Sequence, residues 1–477
     1  MTKPKRKIDT DAFKAEAEEL LNGNGYKMKH TEVFQEILEN LKPIDFRELG
    51  EIDEDQKVTQ KLQVVLTIQN VLQVANDLNC GLCRNQDFIY SYNGEFWHLT
   101  DRNELESFLG EASEKCSVHW TTARHHQFRT ELYKQFVATA YLPKPKVETD
   151  NVLINLKNGT FDINGNGQNL RSFNRNDFLT YQLDFEMTET ATCPKWQVFL
   201  DKVLPEKEKQ KVLAEYLGYI FARHLKLEKT LILFGTGANG KSVVHDVITA
   251  LFGKENISHY SLEALGVNYF RAMIANKLLN YSSDISYRLK AEIFKQLTSG
   301  EPVEARLPYG QPMTLTNYAR LMFNSNELPK DVEHTNAFFR RFLIMPFDVT
   351  IPESEQNKNL AKEIIEAELS GVFNWILEGL QRLLEQGNFT PCEAIDNALK
   401  LYRQESDSAT MFIEDENYEK SVEDYTLIKH LYQDYKLYCS DNGYKPLVRK
   451  NFSKRLESNG YFVDRRNVGL VINLIKA

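Results

Sequence analysis

The chain has 477 residues, a formal net charge of −9, a sequence pI of about 5.7, 42% hydrophobic and 26% charged residues. That balance excludes collagen-like, mucin-like and wholly disordered chains. No apolar run approaches the ~18 residues of a membrane-spanning helix, and the acidic total argues on its face against a nucleic-acid binder, whose footprint is usually basic.

Length suggests about three domains. Residues 1–57 read as a polar arm with a small basic cluster, Lys3, Lys5, Arg6 and Lys7, and no secretory pattern. From 58 to 79 apolar residues recur at helical spacing, which predicts an amphipathic helix. Phe88–Trp97 predicts a hairpin turned at Asn93-Gly94, and 152–163 a second one turned at Asn158-Gly159. Helices are expected over 195–204 and 206–224. Between 229 and 350 the short apolar runs LILF, KLLNY, RLMF and FLIMPF alternate with helical stretches, the pattern of a mostly parallel sheet covered by helices. Residues 355–404 read as helical, and the acidic stretch 404–423 as a linker or hinge. The expected division is a polar arm (1–57), a mainly helical α+β domain (58–204), a helical collar (205–228), an α/β phosphate-loop domain (229–350), a helical lid or linker (351–410) and a C-terminal module (411–477).

Six cysteines, at 80, 83, 116, 193, 392 and 439, are too sparse for a disulfide scaffold and point to a reducing, cytoplasmic setting. Cys80, Cys83, Cys116 and His119 are of the right types for a tetrahedral zinc site. The gap of 32 residues between the two pairs is long for one, however, and Cys80 and Cys83 read as the end of the preceding helix, so structural thiols are expected.

The sharpest motif is Gly235-Thr236-Gly237-Ala238-Asn239-Gly240-Lys241-Ser242, which fits G-x-x-x-x-G-K-[ST] with an apolar strand before it and a helix-compatible run after it. Its glycines let backbone N–H groups converge on phosphate oxygens, and the following helix points its positive end at the same anion. Lys241 is expected to reach the β- and γ-phosphates of ATP, and Ser242 to ligate Mg²⁺. A second acidic group is needed for the metal and the attacking water. Asp284, after the run KLLNY, is the candidate, although Ser283 stands where a second acid would help. Asn326, at the end of the run beginning at Arg320, is placed to hydrogen-bond a phosphate or the water. Arg340 and Arg341 enter an apolar strand, where burial without a partner would be costly. From a subunit edge, one of them could serve a neighbour's nucleotide instead.

These segments, with FKQLTSGEPVEAR (294–306), MFNSNELP (322–329) and AFFRRFLIMPF (337–347), arrive in the order of a superfamily 3 helicase. They resemble most closely the helicase half of phage, plasmid and poxvirus-type primase-helicases, over roughly residues 60–475. The resemblance implies a ring-forming AAA+ ATPase, hexameric and moving 3′→5′ on DNA. It assigns Lys241 and Ser242 to the phosphate loop, Asp284 to the Walker B acid, Asn326 to sensor 1, and Arg340 or Arg341 to the arginine finger. Residues 1–55 leave no room for a primase core, so a primase or polymerase partner is expected on a separate chain.

The segment 298–313 reads as two short strands around Pro308-Tyr309-Gly310, where the family has a channel hairpin. Lys295, Arg306 and Tyr309 are the candidates there for tracking phosphates and stacking on bases. The C-terminal helices at 424–440 and 446–458, followed by a hairpin, look like a winged helix. Arg449, Lys450, Lys454 and Arg455 lie on its second helix, and Arg465 and Arg466 at its wing. Residues 442–477 carry eight basic and two acidic residues, so the whole-chain charge hides a basic end. The expected function is an ATP-dependent replicative helicase of a phage or mobile element acting on single-stranded and forked DNA. A non-unwinding, origin-binding initiator ATPase is the alternative. A small-molecule kinase is disfavoured by the paired arginines and the basic module.

Overall fold

The computed structural model describes residues 28–85, 88–140, 151–164, 167–283, 285, 290–307, 311–329 and 332–476. The chain divides into two compact units, one of Met1–Lys146 with Phe173–Thr180 and one of Val147–Ser172 with Tyr181–Ala477. The hairpin at 152–163, expected with the N-terminal domain, therefore belongs to the second unit.

The first unit holds α1 (His30–Asn40), α2 (Phe46–Leu49), α3 (Gln60–Asp77), the antiparallel sheet β1 (Gly81–Asn85), β2 (Phe88–Tyr92) and β3 (Trp97–Leu99), then α4 (Arg102–Lys115), α5 (Trp120–Ala123) and α6 (His126–Thr139). α3 begins where Thr59 Oγ1 accepts from the Leu62 N–H at 3.3 Å. Its helical spacing puts Val64, Ile68, Val71 and Ala75 on one buried stripe. That stripe shares a core with Leu105 and Leu109 of α4 and with Leu132 and Phe136 of α6.

Two local expectations are corrected here. Cys83 lies within β1 and Cys80 just before it, so neither ends a helix. The β2–β3 turn takes four residues, because Asn93 Oδ1 accepts from both Glu95 N–H and Phe96 N–H at 3.0 Å and shapes the turn with its side chain. Cys80, Cys83 and Cys116 are buried free thiols. Burial pushes the Cys83 thiol up to about 12 and the Cys80 thiol to about 11. His119 is exposed and bonds Thr121. Among the described residues, no group of three His, Cys, Asp or Glu side chains gathers as a metal site.

The second unit opens with the antiparallel strands β4 (Val152–Leu156), β5 (Gly159–Asn164) and β6 (Gly167–Arg171), then α7 (Pro194–Val203) and α8 (Lys207–Tyr219). Next come β7 (Thr230–Phe234), α9 (Lys241–Phe252), β8 (Ile257–Ser258), α10 (Asn268–Ala272), β9 (Leu279–Ser282) and α11 (Ala291–Ser299). The hairpin β10 (Val303–Arg306) and β11 (Pro312–Leu315) follows, then β12 (Arg320–Ser325), α12 (Asn336–Phe339), β13 (Phe342–Pro346), α13 (Leu360–Gln386) and α14 (Glu393–Glu405).

Five of these strands form one parallel sheet in the order β13-β7-β12-β9-β8. Their near-continuous apolar runs are those of a sheet buried on both faces. The order has a functional consequence. β12 lies between β7 and β9, so its C-terminal tip emerges between the end of β7 and the segment that follows β9. α13 runs along α8, where the fully buried Glu215 accepts from Arg382 Nε at 2.6 Å and from Thr390 N–H at 2.8 Å. Both carboxylate oxygens are thus satisfied away from water.

The C-terminal end of this unit comprises α15 (Ser408–Asp415), β14 (Tyr418–Lys420), β15 (Thr426–Leu427), α16 (Ile428–Asp441), α17 (Arg449–Ser458), β16 (Val463–Arg466), β17 (Gly469–Ile472) and β18 (Leu474–Lys476). A linker was expected over 404–423; the chain instead forms α15. Asp407 Oδ1 caps it by accepting from the Ala409 and Thr410 N–H groups. Ala409, Phe412 and Ile413, spaced i, i+3, i+4, enter the core with Leu431, Tyr435, Phe452 and Leu456. Glu405, Glu414 and Asp415 around that apolar triad are exposed and disguise it in the sequence.

Candidate nucleotide site

β7 runs into the loop Gly235–Gly240 and α9 leaves it, which sets the phosphate loop at the C-terminal edge of the parallel sheet. The loop needs its glycines for two different reasons. Gly240 has φ +87, and a Cβ there would lie 2.8 Å from Val203 Cγ1 and 2.9 Å from Phe199. Gly235 has no such φ, but a Cβ would lie 2.6 Å from the Phe347 carbonyl oxygen. Asn239 Nδ2 donates to that carbonyl at 3.1 Å, so the loop is fastened to the residue following β13.

Lys241 opens α9 and is buried. Its ammonium donates to the Gly235 carbonyl and, at 3.2 Å, to Asn326 Oδ1 at the tip of β12. Both partners are neutral dipoles. Burial pushes the Lys241 ammonium below the ordinary lysine value. A cation held this way is suited to an anion arriving from the cavity above it.

That cavity measures about 830 Å³. Its floor is the phosphate loop with Ser242 and Asn326. One wall is α7, through Val198, Phe199 and Lys202; the other is the segment from Ile351 to Glu363. Val198 is 70% exposed, an apolar surface open to a ring-shaped ligand. Across the cavity, Lys195 pairs with Glu363 at 2.5 Å and Lys202 with Glu355 at 2.6 Å. The cavity's size, its apolar wall and the neutral-partnered ammonium beneath it fit a nucleotide. The exposed Ser242 in the first turn of α9 is available to a metal there. Asp284, the expected second ligand, lies outside the described residues. Sequence reasoning missed the α7 wall and the Phe347 carbonyl, because no local signal ties residues 199, 203 and 347 to a loop at 235–240.

Arg340 and Arg341 part company. Arg341 is 6% exposed, donates through Nη2 to Ser299 Oγ at 2.8 Å and through Nη1 to the Ala337 carbonyl, and lies 3.3 Å from Glu228. Arg340 has a half-exposed side chain and pairs with Glu228 at 2.5 Å. Both precede β13, whose Phe342 stands opposite Thr230 at the start of β7. The phosphate loop leaves the other end of β7, roughly 16 Å away at ~3.3 Å per residue. Neither arginine reaches this chain's own phosphate site.

The residues expected to contact DNA fall in several places. Arg306 ends β10 on the exposed side of the hairpin, while Tyr309 lies outside the described residues. Lys295 is engaged by Glu333, with contacts of 3.1 and 2.9 Å, and is not part of that hairpin. Arg449, Lys450 and Lys454 are exposed on α17. Arg455 on the same helix is half-buried, 3.7 Å from Asp407. Arg465 is exposed on β16, whereas Arg466 lies over the Tyr425 ring at 4.3 Å and 3.7 Å from Asp464.

Comparison with known proteins matches three families along the chain. The family described as "D5 N terminal like" covers residues 30–205, a family of unknown function covers 233–341, and "Poxvirus D5 protein-like" covers 404–467. A protein of Acanthamoeba polyphaga mimivirus, provisionally named a helicase, is 23% identical over 260 residues. The chain resembles the phage and poxvirus type of superfamily 3 helicase. The match takes in 50% of this chain and 26% of the mimivirus protein, so the chain spans about a quarter of that relative's length. Two solved structures of the NrS-1 C-terminal region align over 85% and 87% of this chain and 98% and 99% of theirs. Their identities are 12% and 11% and their TM-scores 0.48 and 0.45. The family matches carry the resemblance to this helicase type.

Proposed function

We propose that the chain is an ATP-driven DNA helicase of the superfamily 3, AAA+ kind, assembling as a ring, by expectation a hexamer, on single-stranded or forked DNA in the replication of a phage or mobile element. The observation that carries this reading is the Lys241 ammonium, held by two neutral oxygens beneath a nucleotide-sized cavity, with Asn326 brought to it by the insertion of β12 between β7 and β9.

In this reading the loop N–H groups and Lys241 receive the phosphates, and Lys241 exchanges its Asn326 partner for phosphate oxygen. Asn326 is thereby released to orient the attacking water. Mg²⁺ held by Ser242 and Asp284 would neutralise phosphate charge. Arg340 is the finger: it is exposed, and it stands at the sheet edge opposite its own phosphate loop, so it serves the site of a neighbouring subunit. Arg341 supports it from the core. Ring closure brings the β10–β11 hairpins, with Arg306 and Tyr309, to the strand being moved. The test is strand displacement on a forked duplex: the wild-type chain unwinds it in the presence of ATP and Mg²⁺, and Lys241→Ala does not. Unwinding by Lys241→Ala would refute the reading.

A second reading, an origin-binding initiator ATPase, is favoured by the C-terminal run α15, β14, β15, α16, α17, β16, β17 and β18, in which β15, β17 and β16 form one antiparallel sheet beside two helices. This supports reading the module as a winged helix, with Arg449, Lys450 and Lys454 on the helix that would enter a major groove. ATP-dependent duplex binding with no strand displacement would select it.

A further inference from the structure

A second cavity lies in the first unit, far along the chain from the phosphate loop. It is a groove of about 1110 Å³ between the start of α3 and the α5–α6 turn. Its floor is apolar, with Val64, Val65 and Phe128, and its sides carry the hydroxyls of Thr121, Thr122 and Thr130. The charged and titratable side chains lining it are Lys61, Lys134 and His125 against one carboxylate, Glu131. The surroundings are the reverse: between Met28 and Ala140 the sequence carries 18 acidic and 11 basic residues. The groove is therefore a relatively cationic strip on an acidic unit.

Trp120 directly precedes Thr121, a residue lining the groove, in α5. Its side chain is 58% exposed, while Trp97 and Trp196 are 4% and 0% exposed. Arg124 lies over its ring at 5.7 Å, and the His119 ring is 5.9 Å away. Arg124 is in turn held by Glu114 Oε1 at 2.7 Å, so the platform is braced. A large indole, mostly exposed and with a cation over its ring, offers surface on which a base can stack.

We propose that this groove binds a short run of single-stranded nucleic acid, with a base stacked on Trp120 and phosphates met by Lys61 and Lys134. Lys134 is shared with Glu131 at 2.9 Å, an exposed pair one helical turn apart that a phosphate readily displaces. A duplex keeps its bases paired and stacked inside, so a single strand is what can present a base to Trp120. An aromatic platform beside cations is the arrangement that holds single strands without regard to sequence.

The experiment is titration of the nucleotide-free full-length chain with an oligothymidylate, followed by tryptophan emission and by anisotropy of a labelled strand. The expected result is quenching that disappears in Trp120→Phe, and weakening of binding by about fivefold to a hundredfold in Trp120→Ala. Lys61→Ala should weaken binding and flatten its salt dependence, with DNA-free ATPase and melting temperature unchanged. Quenching that persists in Trp120→Phe, or variants that bind as tightly as wild type, would overturn the assignment. Equal quenching by polyglutamate would overturn it too, by making the groove a general polyanion surface. The DNA-free ATPase rate reports the Lys241 site separately, so failure here and failure of the helicase reading are told apart.

Discussion

Lys241 Nζ and Asn326 Oδ1 lie 3.2 Å apart, although 85 residues separate them in the chain. The contact exists because β7 and β12 are adjacent parallel strands in register, with Phe234 opposite Ser325. The loop 235–240 then turns back so that Lys241, at the start of α9, reaches the end of β7 at Gly235 and the tip of β12 together. A nucleotide phosphate entering this contact inherits both groups at once, the cation and the amide.

Removing each group should have a different kinetic signature. Lys241→Ala should abolish ATP hydrolysis and weaken nucleotide binding, since the cation contacts ground-state phosphates. Asn326→Ala should lower kcat by about a hundredfold or more while KM moves little, the pattern of a group that acts chiefly on the reacting water. Steady-state hydrolysis at saturating DNA checks both. A raised KM with kcat unchanged for Asn326→Ala would place that residue in ground-state binding instead.

Arg340 and Arg341 should separate by stability. Arg341→Ala removes hydrogen bonds to Ser299 and the Ala337 carbonyl and leaves a hole in buried surroundings, so it should cost about 2–4 kcal/mol and lower the melting temperature by several degrees. Arg340→Ala loses one exposed pair with Glu228 and should melt within a degree or two of wild type. Its hydrolysis rate should nevertheless fall by about a thousandfold. Mixing Arg340→Ala with Lys241→Ala subunits should restore part of the activity, because some interfaces then pair an intact arginine with an intact lysine. No recovery on mixing would argue against action across an interface.

The sequence makes some of this legible and not the rest, for physical reasons. The loop Gly235–Ser242 is readable because its chemistry is local: glycines, a lysine and a hydroxyl at fixed spacing between a strand and a helix. The strand order is not local, so the bond between Lys241 and Asn326 becomes visible only once β12 is inserted beside β7. The split between Arg340 and Arg341 is invisible in a doubled arginine; it follows from Phe338, Phe339 and Phe342 burying the strand entrance and turning one guanidinium inward. α15 was hidden by composition, since Phe412 and Ile413 sit among acids that suggest a linker. Lys295 reads as a free cation until the fold brings Glu333 to it, 38 residues away.

Gly240→Ala should damage the site through geometry alone. The new Cβ would require a left-handed backbone at φ +87 and would press on Val203 and Phe199 of α7, the cavity wall. The combined strain is on the order of 1–3 kcal/mol, spent where the loop must keep its N–H groups convergent. Binding of a fluorescent ATP analogue should weaken by about tenfold or more, with only a modest loss of melting temperature. Unchanged nucleotide affinity would mean that the loop accommodates the methyl by moving away from α7.

Acid should loosen the first unit through His30. This side chain is half-buried against Phe96, its Nε2 3.1 Å from the Phe96 carbonyl, and its ring centroid lies 4.9 Å from that of His98. Burial, then the charge of His98, lowers its pKa from 6.5 to about 4. Between those two values the unfolded chain carries a proton at residue 30 that the folded chain refuses. Unfolding therefore takes up a proton, and stability falls as pH drops from about 6.5 towards 4, at up to about 1.4 kcal/mol per pH unit for this group. Above pH 6.5 both states are neutral and the effect vanishes; below 4 it is complete, at no more than about 3 kcal/mol. His30→Gln cannot take the proton, and its amide can still meet the Phe96 carbonyl. Denaturant unfolding of wild type and His30→Gln, compared at pH 7.5 and pH 4.5, isolates the term because every carboxylate is common to both chains. The variant should gain about 2 kcal/mol on wild type over that interval. A stability difference independent of pH would mean that His30 is protonated as easily in the fold as out of it, contrary to its burial.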